Sequence, residues 1–274
     1  MTLLRTFTVE RLEVRTYDSR AAMGRAAAQD VARAVAACLA TRPEANMIFA
    51  AAPSQEEFLA ALAADPSIDW PRVNAFHMDE YIGLDPDAAQ GFGNFLTARL
   101  FGKAPCKAVH LIEGNATDEA TAEVSGEAAE SVEIARYTAL LQQHPVDIVC
   151  LGIGENGHIA FNDPPVADFE DPALVKRVPL DEASRVQQVN EGNFPELARV
   201  PTHALTLTIP ALTRAPRMFC MVPAASKAAA VTRTLTGPIS TDCPATILRR
   251  HPAAILYTDP DSAAGLPETL GSGG

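Results

Sequence analysis

Residues 151–164, reading LGIGENGHIAFNDP, constrain this chain more than any other stretch. The apolar run 148–151 has the length of a buried strand and enters a Gly-x-Gly turn with no polar residue between. His158 follows, and a carboxylate, Asp163, comes five residues later. Glycines at 152, 154 and 157 leave little bulk around the imidazole, so a small ligand can approach it closely. This is the layout of a reactive histidine at the end of a buried strand, and it predicts acid–base chemistry on a small molecule. The Gly-x-Gly lacks the continuation of a dinucleotide-binding turn.

The rest of the chain supplies a frame for such a strand. Short β-like runs fall at 11–17, 46–51, 73–78, 108–112, 147–151, 204–209, 218–222 and 253–257. Helical spacing falls between them at 21–40, 55–64, 92–100, 118–143 and 226–235. Strands alternating with helices predict an α/β fold, a Rossmann-like open and mostly parallel sheet with helices on both faces. Residues 164–192 are polar, proline-containing and weakly periodic, which predicts a lid segment. The expected organisation is one domain over 1–264 and a disordered tail over 265–274.

Composition removes several function classes. A formal charge of −12 argues against nucleic acid and anionic membranes as partners. It leaves room for a phosphorylated small molecule, because one local cation and a helix N-terminus can hold a phosphate. No apolar run approaches the ~20 residues that cross a bilayer, and the first ten residues lack a signal-peptide core, so a cytoplasmic protein is expected. The five cysteines, Cys38, Cys106, Cys150, Cys220 and Cys243, are scattered and form no zinc-like spacing. Neither a metal nor another cofactor is expected.

In open α/β sheets ligands bind beyond the C-terminal strand ends. Polar clusters follow three of the strands here, at 51–55, 77–81 and 152–163. In the second, Asp79 is a candidate general base and Glu80 a candidate substrate contact. The structural alternative is that Asp79 caps the next helix while Glu80 faces solvent. His77 and Asp79 would make a metal pair, but the sequence offers no third ligand. In the third cluster, Asn156 and Asp163 bracket His158 and can orient its ring, while Gly154 and Gly157 border the ligand. Lys227, at a turn after the run 218–222, is a candidate phosphate seat, with Ser54 and Gln55 completing it. The structural alternative is a solvated lysine.

Taken together, these segments resemble the glucosamine-6-phosphate deaminase/isomerase family, whose fold is shared with 6-phosphogluconolactonases. The resemblance covers roughly residues 10–260. It rests on FHMDEYIGL at 76–84, GIGENGHIAFNDP at 152–164, THALTLTIPAL at 202–212 and Ser226-Lys227 within VPAASKAAAV. Lactonases tend to carry Asp-Glu-Arg and Gly-His-Thr-Ala-Ser-Leu where this chain has Asp-Glu-Tyr and Gly-His-Ile-Ala-Phe-Asn. The resemblance implies conversion of glucosamine 6-phosphate and water to fructose 6-phosphate and ammonium. In that reaction His158 assists ring opening, Asp79 moves a proton between C2 and C1, and Lys227 holds phosphate. The alternatives are an isomerase or lactonase acting on galactosamine 6-phosphate or a phosphogluconolactone, and a catalytically weak sugar-phosphate-binding regulator. The family includes different assemblies, so a homo-oligomer is compatible with the sequence.

Four departures stand out. Asn156 replaces a common aspartate, and Asp163 replaces a glutamate. The stretch 52–55 replaces a glycine-rich turn. The family's lid arginine has Arg185 as its nearest candidate, with Asn190 nearer the aligned position. Restoring aspartate at 156 is expected to keep or raise turnover.

Overall fold

The computed structural model of the protein describes residues 2–115 and 127–270. The chain begins with an antiparallel pair, β1 (Leu3–Val9) and β2 (Leu12–Tyr17). Helix α1 (Arg20–Leu39) follows, its first turn capped by Ser19 Oγ accepting from the Ala22 N–H at 3.3 Å. Then come β3 (Ala45–Phe49), α2 (Glu56–Ala63), β4 (Val73–His77), β5 (Asp79–Tyr81) and α3 (Phe92–Leu96), which runs on into a π-helical turn over Thr97–Phe101. The middle of the chain holds β6 (Ala108–His110), α4 (Glu127–Gln143), β7 (Ile148–Leu151), β8 (Val175–Pro179) and α5 (Glu182–Asn190). The last elements are β9 (His203–Leu207), α6 (Ile209–Thr213), β10 (Arg217–Val222), α7 (Ala228–Thr236) and β11 (Ala254–Thr258).

Eight strands form one sheet in the order β1-β2-β11-β10-β7-β3-β4-β6, parallel except for β1 against β2. Its central strands are buried on both faces. Met47 and Phe49 of β3 join the cluster that contains Met23, Phe58 and Leu62, while Ile48 joins Phe76, Val149 and Leu151 on the other face. Double burial is why these strands read as continuous apolar runs. The chain progresses from β3 outward through β4 to β6, then returns to place β7 on the other side of β3. The cleft beyond the ends of β3 and β7 is therefore the topological switch point, where open α/β sheets bind ligands.

Several sequence expectations need correction. β1 was absent from them, because LLRTFTV is an edge strand with mostly exposed or half-buried positions and a weak apolar signature. The parallel sheet does not hold every strand: β5, β9 and β8 make a separate antiparallel sheet in that order. Residues 164–192, expected as a lid segment with weak periodicity, contain β8 and α5, so their polar character is that of an edge strand and a half-exposed helix. The tail is ordered over its first part: Leu266 and Leu270 pack against the core, and Arg5 donates to the Pro267 and Glu268 carbonyls. Residues 271–274, and 118–126 of the expected long helix, lie outside the described residues. Among the described residues no helix is long and apolar enough to cross a membrane.

α1 and α2 pack with almost no separation at Gly24. A Cβ on that residue would stand 2.8 Å from the Glu57 carbonyl carbon and the Phe58 nitrogen, both backbone atoms that cannot rotate away. Gly24→Ala is expected to destabilise the fold by about 1–3 kcal/mol, although alanine is the better helix former. Urea denaturation measures it; an unchanged midpoint would show that the two helices separate freely.

Candidate active site

Asp147, immediately before β7, fixes the spacing of the two strands that end at the cleft. Its Oδ2 accepts the Asn46 N–H of β3 at 2.8 Å, and its other oxygen pairs with Arg42. Asn46 in turn accepts from Asn74 Nδ2 of β4 at 2.8 Å. The three strands thus arrive in register, and their ends open into a cleft at the switch point. Ala50–Ala52 and Ser54 line it after β3, Met78 and Asp79 after β4, and Gly152–Gly154 with His158 after β7. Lys227 enters from beyond β10, and α5 closes the remaining side with Gln187, Gln188 and Glu191.

His158 is held from one side only. Its Nδ1 lies 2.8 Å from Asp163 Oδ1 and 2.9 Å from Ser184 Oγ. The Ser184 hydroxyl is itself directed to Asp163 Oδ1, so the proton between ring and carboxylate sits on Nδ1. Nε2 is left as the acceptor in the neutral ring, with no hydrogen bond among the described residues. The ring lies against Gly154, where a Cβ would overlap its Cε1, Nε2 and Nδ1 atoms. Any side chain at 154 would expel the histidine. Asn156 closes the loop by accepting the His158 N–H at 3.0 Å and donating from Nδ2 to Asp163 Oδ1 at 2.8 Å. Burial alone would raise the Asp163 carboxyl, but His158, Asn156 and Ser184 outweigh it and hold it below the usual aspartate range.

Asp79 has the opposite environment. It is 7% exposed and lines the cavity, with no hydrogen bond to its carboxylate among the described residues. Burial pushes its carboxyl well above the ordinary aspartate value, and the neighbouring Glu80 and Asp163 push it further. The capping role considered for Asp79 belongs instead to Glu80. The Glu80 carboxylate accepts from the N–H groups of Tyr81 and Phe92 at 3.0 Å and of Gly93 at 2.8 Å, tying β5 to the start of α3. Those bonds hold Glu80 outside this cavity, on the wall of a separate pocket that it shares with Leu84, Leu111 and Glu113. His77 is also structural. It is fully buried, its Nε2 accepts the Ile112 N–H at 2.6 Å, and burial pulls its pKa down to about 3. It does not pair with Asp79.

The other expected residues divide. Ser54, Gly154 and Lys227 line the cavity. Gln55 sits behind it, its Nε2 donating to the Met221 carbonyl at 3.0 Å and to Ser54 Oγ at 3.1 Å. Gly157 also lies behind, at φ +92°, where a Cβ would meet Cys243 Sγ at 2.5 Å. Arg185 is turned away and donates to the Leu197 and Val200 carbonyls at 2.9 and 3.0 Å. The turn before Lys227 is strained: Ala224 has φ +83°, and its N–H is held by the Asp259 carboxylate at 3.2 Å. Strain of this kind persists only where surrounding structure enforces it, and it clusters at ligand sites. Sequence reasoning missed Ser184, Gln187, Gln188 and Glu191, whose single legible signal was their place in the polar stretch assigned to a lid, and Asn193 just beyond it.

Fold and site define a class: an α/β protein with an acid–base centre at the switch point of a parallel sheet, shaped for a small ligand. Residues 18–256 match the family described as glucosamine-6-phosphate isomerases/6-phosphogluconolactonase. A glucosamine-6-phosphate deaminase of Listeria innocua is 34% identical over 224 residues, 82% of this chain and 89% of that protein. One from an Exiguobacterium species is 35% identical over 204 residues, 74% of each chain. The solved structure of a monomeric glucosamine-6-phosphate deaminase superposes with a TM-score of 0.79 at 27% identity, covering 92% of this chain and 99% of that one. A Trypanosoma brucei 6-phosphogluconolactonase superposes at 0.74 with 15% identity over 93% of this chain and 98% of that one, a likeness of fold. The chain belongs to the glucosamine-6-phosphate isomerase/6-phosphogluconolactonase family and is an enzyme of the deaminase kind within it.

The geometry adds a stability cost to a substitution at position 156. An aspartate there would lose the Nδ2 donor and set a second carboxylate against Asp163. Two carboxyls sharing a site raise the pKa of one of them, so the variant is destabilised as pH rises through that value. Asn156→Asp is expected to lose roughly 1.5–3 kcal/mol of stability, the worth of a hydrogen bond to a charged group. Denaturation at pH 5 and pH 8 tests the sign; a variant as stable as the parent at both would contradict it.

Proposed function

We propose that this enzyme converts glucosamine 6-phosphate and water to fructose 6-phosphate and ammonium. The observation that carries the reading is one cavity holding an unpartnered, raised-pKa carboxylate, Asp79, together with a histidine whose tautomer is fixed to leave Nε2 open. These are the two proton-handling groups that ring opening and aldose–ketose isomerisation require. The names of the relatives supply the substrate.

In this reading the phosphate rests on Lys227 and the turn at Ser54. His158 Nε2 exchanges a proton with the ring oxygen and the anomeric hydroxyl, opening the sugar to its aldehyde. Asp79 removes the C2 proton, giving an enolamine, and returns it to C1. The resulting C2 iminium adds water and expels ammonia, leaving the ketone of fructose 6-phosphate. Asp163 stays ionised throughout and stabilises the charged imidazole, assisted by Ser184 and Asn156. The chemistry needs no redox step. The regulator alternative rested on the missing charge at 156, and Asp163 supplies that charge at Nδ1. The lactone alternative is disfavoured by the Asp-Glu-Tyr sequence, in which Tyr81 is packed among Phe92, Phe161 and Phe194.

Purified protein is expected to release ammonium and fructose 6-phosphate from glucosamine 6-phosphate in preference to galactosamine 6-phosphate. Absence of turnover with either would overturn the reading. Asp79→Asn should lower kcat by at least about 10², the usual scale for removing a general base. Because Asp79 acts only when ionised, kcat/KM should climb with pH through its raised pKa, with an acid limb above that of an ordinary aspartate. The same burial links function to stability. A carboxyl whose folded-state pKa is raised contributes stability below its unfolded value and loses it as pH rises through the folded one. Asp79→Asn should therefore melt higher than the parent, by a margin that widens from pH 5 to pH 8. A lower Tm at pH 8 would contradict the assignment.

A further inference from the structure

The phosphate end of the cavity already contains an ion pair. Lys227 is 4% exposed, and an ammonium buried that deeply is stable only beside a counter-charge. Glu191 provides it, its Oε1 accepting from Lys227 Nζ at 3.1 Å. The carboxylate is braced: Gln187 Nε2 donates to the same oxygen at 2.8 Å, and Gln187 Oε1 accepts the Glu155 N–H at 2.9 Å. Both members of the pair line the cavity. Lys227 is the one lysine or arginine among the described residues that line it, since Arg185 is bound to backbone carbonyls elsewhere. The lysine and glutamate charges therefore cancel where a phosphate is to bind.

We propose that Glu191 is an affinity-determining residue of this site, a counter-ion that holds Lys227 in the free enzyme and that the substrate phosphate must displace. The proposal rests on the reading of Lys227 as the phosphate seat. A phosphate dianion carries twice the charge of the carboxylate and wins the ammonium, but its gain is reduced by the interaction it breaks. Glu191 terminates α5, and Gly192 leaves the helix in a left-handed conformation at φ +76° with open space at its Cβ position. The carboxylate stands at the end of the helix, so its release does not require the helical turns before it to open. The consequence is a site that holds anions loosely, with KM set by a competition inside the protein rather than by contacts to the ligand alone.

Isothermal titration of inorganic phosphate into the parent, Glu191→Gln, Glu191→Ala and Lys227→Met proteins tests this at fixed ionic strength. Glutamine keeps the shape and an acceptor for Gln187 while removing the charge. Both Glu191 variants are expected to bind phosphate about tenfold or more tighter, an effect on the scale of one freed ion-pair partner. KM for glucosamine 6-phosphate should fall by a similar factor in Glu191→Gln. Lys227→Met should lose phosphate binding. If Lys227→Met loses binding while both Glu191 variants bind no tighter than the parent, Glu191 only braces α5 and the inference fails, leaving the phosphate seat intact. If Lys227→Met binds phosphate like the parent, the seat itself is elsewhere and the inference falls with it.

Discussion

The contact between Asp147 and the Asn46 N–H decides where everything else in this protein can go. β3 and β7 come from distant parts of the chain, and their parallel pairing is the point at which the sheet changes its direction of growth. A buried carboxylate bridging the N-terminal ends of both strands, balanced by Arg42, sets their relative height. Asp147 is buried while Arg42 is half-exposed, so losing the carboxylate removes the bridge to β3 but leaves a solvated guanidinium. With the N-terminal ends fixed, the C-terminal ends at Ala50 and Gly152 are fixed too, and the cavity is a consequence of that alignment.

Within the cavity, one residue type does two jobs because its surroundings differ. Asp163 gathers three donors on Oδ1, stays ionised and serves the imidazole. Asp79 has no donor and faces two other acids, so its proton affinity is raised toward the range useful for carbon-bound protons. Separation of two carboxylates by environment is a general route to acid–base chemistry near neutral pH. Glu80, adjacent to Asp79 in sequence, takes a third role by satisfying the N–H groups at the start of α3. Adjacent acids therefore need not share a function.

The sequence made legible those parts whose signal is local. Asp79 comes straight after the apolar run of β4, and His158 and Lys227 lie in the turns after β7 and β10, where polar residues of an α/β chain are conspicuous. The parallel core was legible for the same reason, since its central strands are apolar throughout. What stayed hidden depends on distant partners. Ser184, Gln187 and Glu191 lie on a helix whose polar side faces a cavity, and a polar helical face reads as solvated until the opposing wall is known. Gln55, Gly157 and Arg185 carry the right chemistry in the right segment, but each is spent on the backbone behind the site. The direction of a side chain at a turn is set by tertiary packing, which spacing does not encode.

The small antiparallel sheet has a mechanical consequence. Asp79 lies in β5 directly opposite Thr206 of β9, and Thr206 Oγ also accepts the Phe161 N–H from the histidine loop at 3.1 Å. β9 pairs in turn with β8, the strand that leads into α5. The proton-accepting carboxylate, the histidine loop and the wall bearing Glu191 are thus coupled through one three-stranded unit. The cleft is bounded by that unit on one side and by the strand ends of the eight-stranded core on the other. A substitution in β8 or β9 that moves this unit therefore shifts Asp79 and the histidine loop along with the wall bearing Glu191, so substrate range and catalytic alignment are linked in this architecture.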